Sequence, residues 1–199
     1  MLEMKDQSPD RPQKQLEFTP QFEKTLKLLE NTDRSLFITG RAGTGKSTLL
    51  DYFRQTTKKK LVVLAPTGVA ALNVQGQTIH SFFSFRPDIT VDKVKRLQPS
   101  KQKLIRSLEA IIIDEISMVR ADLLDCVDLA LRLNRDFENL PFGGLQMILI
   151  GDLYQLPPVV TPREEKAFSL HYESPYFFSA NVFHDKNFRL QYVELDKVF

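Results

Sequence analysis

The sequence predicts an α/β fold in three layers, with a mostly parallel central sheet and helices on both faces. Three observations predict it. Short apolar runs rich in branched residues alternate with helix-like stretches along the chain. A glycine-rich string, GRAGTGKS at 40–47, lies between one such run and a helix-like stretch. Another run ends in two adjacent carboxylates, Asp114 and Glu115. Apolar runs without polar alternation are what strands covered on both faces require, and intervening helices allow neighbouring strands to be parallel.

In chain order, residues 1–15 are polar and proline-bearing and read as a flexible leader, so the ordered domain is expected from about Leu16 to residue 199. Phe22, Leu26, Leu28 and Leu29 come next at roughly helical spacing. The runs LFIT (36–39), LVVL (61–64), AIII (110–113) and MILI (147–150) read as buried strands. Helix-like stretches cover 46–54, 69–73, 92–108 and 122–135, the last with Leu124, Val127 and Leu131 on one face. A further apolar stretch, YVEL, occupies 192–195.

Composition bounds what such a fold can do. One compact domain is expected from 199 residues with 42% hydrophobic content. With 27 Lys and Arg against 25 Asp and Glu, the net charge of +2 makes any nucleic-acid contact a local matter. A lone cysteine, Cys126, leaves no internal disulfide and reads as a small buried residue in the helix at 122–135. No apolar stretch has the length a bilayer needs, and the chain reads as a soluble, intracellular protein without a membrane partner.

The string at 40–47 satisfies G-x-x-x-x-G-K-[ST] through Gly40, Gly45, Lys46 and Ser47, with strand before and helix after, which is the context of a phosphate-binding P-loop. Gly43 and Gly45 let the backbone wrap phosphate oxygens, while loop N–H groups and the helix start supply positive potential. Lys46 would neutralise the β and γ phosphates of ATP, and Ser47 would ligate Mg²⁺. A turn that merely caps a helix needs neither side chain. At the end of the strand 110–113, Asp114 would hold the same Mg²⁺ and Glu115 would orient and deprotonate the attacking water.

Two stretches go beyond a generic ATP site. APTGVAALN (65–73) runs on to GQTIHSFF (76–83), and PFGGLQMILIGDLYQLPPV spans 141–159. Together with GRAGTGKST and IIIDEISMV, these resemble the ordered motifs of the petite-integration-frequency (Pif) family of superfamily-one DNA helicases, over a span from about Leu16 to Phe199. The resemblance implies a RecA-like first motor domain that binds ATP through Gly40, Ala42, Gly43, Thr44, Gly45, Lys46, Ser47 and Thr48. It implies single-stranded DNA contacts at Pro66, Thr67, Gly68, Val69, His80, Ser81 and Phe82. Gln155 falls where the family senses the γ-phosphate and couples it to the DNA groove, and joins Lys46 and Glu115 as a catalytic candidate. Movement with 5′-to-3′ polarity and roles in repair, recombination and telomere upkeep are implied in the same way. On their own terms, at least two of Phe82, Phe83 and Phe85 read as a core or flank cluster and His80 as a hydrogen-bonded structural histidine.

The basic stretch 93–106 reads as a solvated helix face or a groove-lining patch, and Lys58, Lys59 and Lys60 as a polar turn. Gln21, near the position of a family glutamine that reads adenine, is a candidate base contact about one residue out of register. The resemblance also implies a second RecA-like domain carrying an arginine that stabilises the transferring phosphate, and this domain is not within these residues. Residues 1–199 alone are therefore expected to bind ATP and turn it over slowly. A non-catalytic module that holds DNA or protein in an ATP-dependent way is the alternative.

Overall fold

The structure, a computed structural model, describes residues 19–197. The expected leader at 1–15 and the domain start at Leu16 lie outside the described residues. The chain opens with α1 (Pro20–Asn31), β1 (Ser35–Thr39), α2 (Lys46–Thr56), β2 (Leu61–Ala65) and α3 (Gly68–Asn73). It continues with β3 (Gln77–Thr78), α4 (Ile79–Phe83), α5 (Pro99–Ser107), β4 (Ala110–Ile113) and α6 (Ala121–Arg135). Last come β5 (Gln146–Ile150), α7 (Pro162–Phe168) and β6 (Leu190–Glu194). The strands form one six-stranded sheet in the order β3-β2-β4-β5-β1-β6, and every pairing is parallel.

Alternation along each strand divides the core in two. Leu36, Ile38, Ile112, Ile148 and Ile150 face one side, where Phe22 and Leu29 of α1 and Leu49, Leu50 and Phe53 of α2 cover them. Phe37, Ile111, Ile113, Met147 and Leu149 face the other, beneath α4, α5 and α6. This is the three-layer arrangement the apolar runs predict. Apolar faces on both sides of β1, β4 and β5 leave no water-facing side, so these strands must be central. Cys126 is buried in the α6 layer, and burial pushes its thiol up to about 12, as an inert core residue requires.

Two expectations change. The helix anticipated over 92–108 is broken into a single 3₁₀ turn at Val91–Lys93, an extended link, and α5. Pro99 is the cause: it begins α5, where its missing N–H costs nothing, and holds Gln98 in an extended conformation (φ −59°, ψ 148°) that cannot continue a helix. The basic residues there mostly stay solvent-exposed, as a solvated face requires, and several make surface ion pairs. Arg96 pairs with Asp136 and Glu138, Arg106 bonds Asp136 and the Asn134 carbonyl, and Lys93 pairs with Asp88. Lys59 is not part of a solvated turn: its side chain is only 9% exposed, and Nζ donates to Thr32 O (2.7 Å) and Gln146 Oε1 (2.8 Å). It thereby ties the start of β2 to the entries of β1 and β5.

Candidate nucleotide site

The central strands β4, β5 and β1 are neighbours, and their C-terminal ends release three loops side by side. The first is the glycine-rich loop 40–45. Gly43 (φ 83°) and Gly45 (φ 87°) take the left-handed conformation that favours glycine, and Gly45 caps α2 with no side chain in the way. Buried Thr44 closes the loop by donating from Oγ1 to Arg41 O at 2.8 Å. Lys46 starts α2 and turns its Nζ back to the Gly40 and Arg41 carbonyls, so the cation lies at the loop's concave face. Ser47 is exposed one residue further on, with Thr48 half-buried beside it.

The second loop carries the acid pair. Asp114 is fixed by its amide, which donates to Leu64 O at 2.9 Å. Glu115 sits in the left-handed region (φ 52°, ψ 43°), a conformation that costs a non-glycine residue about 1–3 kcal/mol and breaks β4 into the 3₁₀ turn Ile116–Met118. Burial, then the Glu115 charge, lifts the Asp114 carboxyl to about 6; Lys46 opposes the rise and Asp51 adds to it. The fold therefore places Lys46, Asp51, Asp114 and Glu115 within one electrostatic neighbourhood although the first two come from α2 and the last two from the loop after β4.

Between these loops lies the third, which leaves β5. Gly151 donates to Ile38 O of β1 at 3.1 Å, and a side chain on it would press on Ile116 and the Ser117 amide. The first residue of the middle loop is thus held on β1 and against the turn that follows Glu115. Asp152, 4% exposed, organises the turn at 152–155 by accepting from Tyr154 N (3.0 Å) and from Gln155 Nε2 (3.4 Å). Gln155 itself is exposed above the sheet edge.

The residues present fit a magnesium–nucleoside triphosphate. Ser47 hydroxyl and Asp114 carboxylate are hard oxygen donors suited to Mg²⁺, and a partly buried carboxylate that resists ionisation is relieved by a cation. Among the described residues no group of three or more His, Cys, Asp and Glu side chains could cage a metal by itself. A cation at Ser47 and Asp114 would complete its shell with waters and phosphate oxygens, the arrangement in which Mg²⁺ binds with nucleotides.

A family model described as PIF1-like helicase matches residues 20–198. The chain belongs to the PIF1-like helicase family. The ATP-dependent DNA helicase PIF1 of Emericella nidulans is 39% identical over 150 residues, covering 67% of this chain and 19% of that protein. The Pif1 of Campylobacter jejuni is 34% identical over 182 residues, covering 84% of this chain and 38% of that protein. Among solved structures, the Bacteroides Pif1 helicase in complex with ADP-AlF3 and single-stranded DNA superposes with a TM-score of 0.83 at 41% identity, over 91% of this chain and 42% of that one. Candida albicans Pif1 gives 0.72 at 34% identity, over 92% and 40%. The chain thus spans less than half the length of each of these relatives. Its parallel sheet and Pif1 likeness are those of a RecA-like domain.

In this PIF1-like domain the motif residues after β2 and β3 lie on the same rim of the sheet as the three loops. Thr67 caps α3, accepting from Ala70 N at 3.2 Å, and Gly68 has open space where a side chain would be. Val69 is 72% exposed, Pro66 half-buried. Thr78 caps α4 by accepting from Ser81 N, which leaves the Ser81 side chain outside; His80 is half-buried edge-on to Phe85, and burial lowers its pKa. Phe82 requires correction as a base-stacking candidate. It is 4% exposed and packs edge-on against Phe83, which stacks on Phe85, so its ring belongs to the core.

Gln21 projects from α1 and its amide donates to the Glu194 carbonyl at the end of β6. The next residue along β6 reaches the phosphate loop, since Leu195 N donates to Thr39 O at 2.8 Å and Leu195 O fills the space a Gly40 side chain would need. Asp152, Leu195 and Lys101 shape the site although the sequence motifs do not point to them individually. Asp152 lies inside the GDLYQLPPV string, where a carboxylate directly beyond a buried strand is the signal that could have found it. Leu195 and Lys101 act through main-chain contacts that no motif signals. Lys101 Nζ donates to Ser81 O, Phe82 O and Ser84 Oγ, closing the C-terminal end of α4.

Proposed function

We propose that these residues are the first of two RecA-like motor domains of a Pif1-type DNA helicase, in which ATP hydrolysis drives 5′-to-3′ movement on single-stranded DNA and duplex unwinding. The observation that carries the reading is that Lys46–Ser47, Asp114–Glu115 and Gln155 lie beyond the C-terminal ends of three adjacent parallel strands, with Gly151 bonded to β1 and packed against the Ile116–Ser117 turn. In open α/β sheets the strands' C-terminal ends are where ligands bind.

The backbone of 40–45 cradles the phosphates and Lys46 neutralises them. Ser47 and Asp114 would hold Mg²⁺, which when bound would neutralise charge developing on the phosphoryl oxygens. Glu115 accepts the proton of the attacking water. Gln155, steered by Asp152, reports the γ-phosphate to the segments 66–69 and 80–81 that would meet single-stranded DNA. Gln21 would contact the base on exchanging its bond to the Glu194 carbonyl for one to the nucleotide.

An arginine from the second domain is worth about 10³ to 10⁵ in turnover in phosphoryl-transfer enzymes, so residues 1–199 alone should bind ATP and hydrolyse it slowly. Purified 1–199 is expected to bind Mg²⁺-ATP with little DNA-stimulated hydrolysis and no unwinding. Robust unwinding by this domain would overturn the two-domain reading.

A further inference from the structure

The acid-pair turn and the Gln155 loop are joined at two places. The first is Gly151, against Ile116 and the Ser117 amide. The second is Arg120, which follows the 3₁₀ turn beyond Glu115. Its backbone is held by a β-bridge to Tyr176, and the next amide, Ala121 N, donates to Pro175 O at 3.0 Å. Asp122 holds the guanidinium with both carboxylate oxygens, Nε donating to Oδ1 at 3.0 Å and Nη2 to Oδ2 at 2.7 Å. Nη1 is left to donate to Glu164 Oε1 of α7 at 3.2 Å, and the guanidinium carbon lies 5.3 Å from the centre of the Phe168 ring.

No residue of α7 is fully buried, so its main attachments are Phe168, packed on Tyr172 at the edge of the core, and the Glu164–Arg120 pair. Glu164 serves two partners at once. While Oε1 meets Arg120, Oε2 accepts from Thr161 N (3.2 Å) and Thr161 Oγ1 (2.7 Å), which closes the capping box at the start of α7. Thr161 is where the Gln155 loop ends. The loop is thus tied at Asp152 to its own turn, and at Thr161 through Glu164 to Arg120. Of the residues between these ties only Pro158 is buried, while Tyr154, Gln155, Leu156 and Val159 are exposed. Pro157 and Pro158 fix φ, so a displacement at Thr161 is passed along the span rather than absorbed in it.

We propose that Arg120 is a positioning residue for the γ-phosphate: through Glu164 and Thr161 it holds the Gln155 loop in one fixed relation to the acid-pair turn, so that Gln155 and Glu115 reach the same phosphate. This rests on the reading of Gln155 as the residue that meets the γ-phosphate. The two junctions close a ring of chain, from 116 to 120, across to 164, back through 161 to 151, and across to 116. Opening the ring at Arg120 leaves the phosphate loop and the acid pair in place and releases the Gln155 side. An ion pair that only stabilised the fold would bear on ATP and ADP alike. One that sets Gln155 bears on ATP alone, because ADP has no γ-phosphate for Gln155 to meet.

The test compares residues 1–199 as wild type, Arg120→Ala, Arg120→Lys, Glu164→Gln and the double variant Arg120→Ala/Glu164→Gln. Single-turnover hydrolysis is measured together with Mg²⁺-dependent binding of fluorescent ATP and ADP analogues. Arg120→Ala removes a half-exposed ion pair and a cation–π contact, and should slow hydrolysis and weaken ATP binding about three- to tenfold, with ADP affinity changed less than about twofold. Glu164→Gln keeps the capping box and should show part of the same loss. The double variant should be no slower than Arg120→Ala, since both substitutions remove one contact. Arg120→Lys, which keeps a cation for Glu164, should recover part of the loss, and Arg163→Ala, exposed on the same helix, should stay within about twofold of wild type. Equal loss of ATP and ADP affinity, additive effects of the two substitutions, or normal hydrolysis by Arg120→Ala where Gln155→Ala is slow would each overturn the proposal. Hydrolysis by Gln155→Ala at the wild-type rate would remove the reading of Gln155 itself, and the proposal with it.

Discussion

The carbonyl oxygen of Leu195 occupies the space that a side chain on Gly40 would need, joining the last strand of the sheet to the first residue of the phosphate loop. Gly40→Ala would have to push the β6 end aside or reshape the loop. It should weaken ATP binding at least about tenfold and lower the melting temperature, whereas Gly68→Ala, at a site with open space around it, should leave the melting temperature within about a degree.

Lys46 and Glu115 should separate binding from chemistry. Lys46→Ala removes the cation that meets the phosphates and is expected to abolish measurable nucleotide binding. Glu115→Gln keeps the side-chain shape without the base, so ATP affinity should persist while single-turnover hydrolysis falls by about 10² to 10⁴. Equal hydrolysis by Glu115→Gln and wild type would remove Glu115 from the mechanism.

Asp114 predicts a pH dependence of stability. Its folded-state carboxyl is raised to about 6, so between its ordinary range and that value the native state keeps a proton that the unfolded chain has lost. Stability therefore falls as pH rises from about 4 to 6, by at most about 3 kcal/mol, and the full penalty persists above that. In chelator, Asp114→Asn should melt higher than wild type near neutral pH and match it at about pH 3.5. The same variant should lose Mg²⁺-dependent hydrolysis.

Lys59 is a structural lysine, and Lys59→Ala leaves the buried Gln146 amide oxygen without its donor. A loss of about 2–3 kcal/mol in unfolding free energy is expected by urea denaturation. Lys58→Ala, next to it in the same run, should cost less than about 0.5 kcal/mol.

Much of this architecture was legible in the residues. The runs 36–38, 61–65, 110–113 and 147–150 are apolar throughout, which strands covered on both faces require, and GRAGTGKS carries its own context. The illegible parts depended on contacts far apart in sequence. The run of Lys58, Lys59 and Lys60 gives no sign that its middle member is buried against residues 32 and 146, which lie 27 and 87 positions away. Pro99 did carry the signal that splits the expected helix over 92–108, but the basic pattern around it matched helical spacing and hid the break. Phe82 differs from Phe83 and Phe85 in nothing a sequence records; only α4 packing under the sheet decides that its ring is buried. Leu195 shapes the phosphate loop with its backbone alone, so its identity bears no trace of the role.

The most direct test of the central claim is equilibrium binding of a fluorescent ATP analogue to residues 1–199, with and without Mg²⁺, for wild type and Lys46→Ala. Saturable, Mg²⁺-dependent binding by wild type, lost in a Lys46→Ala protein with an unchanged circular-dichroism spectrum, is the predicted result. Equal binding by the two proteins would contradict the assignment of the site.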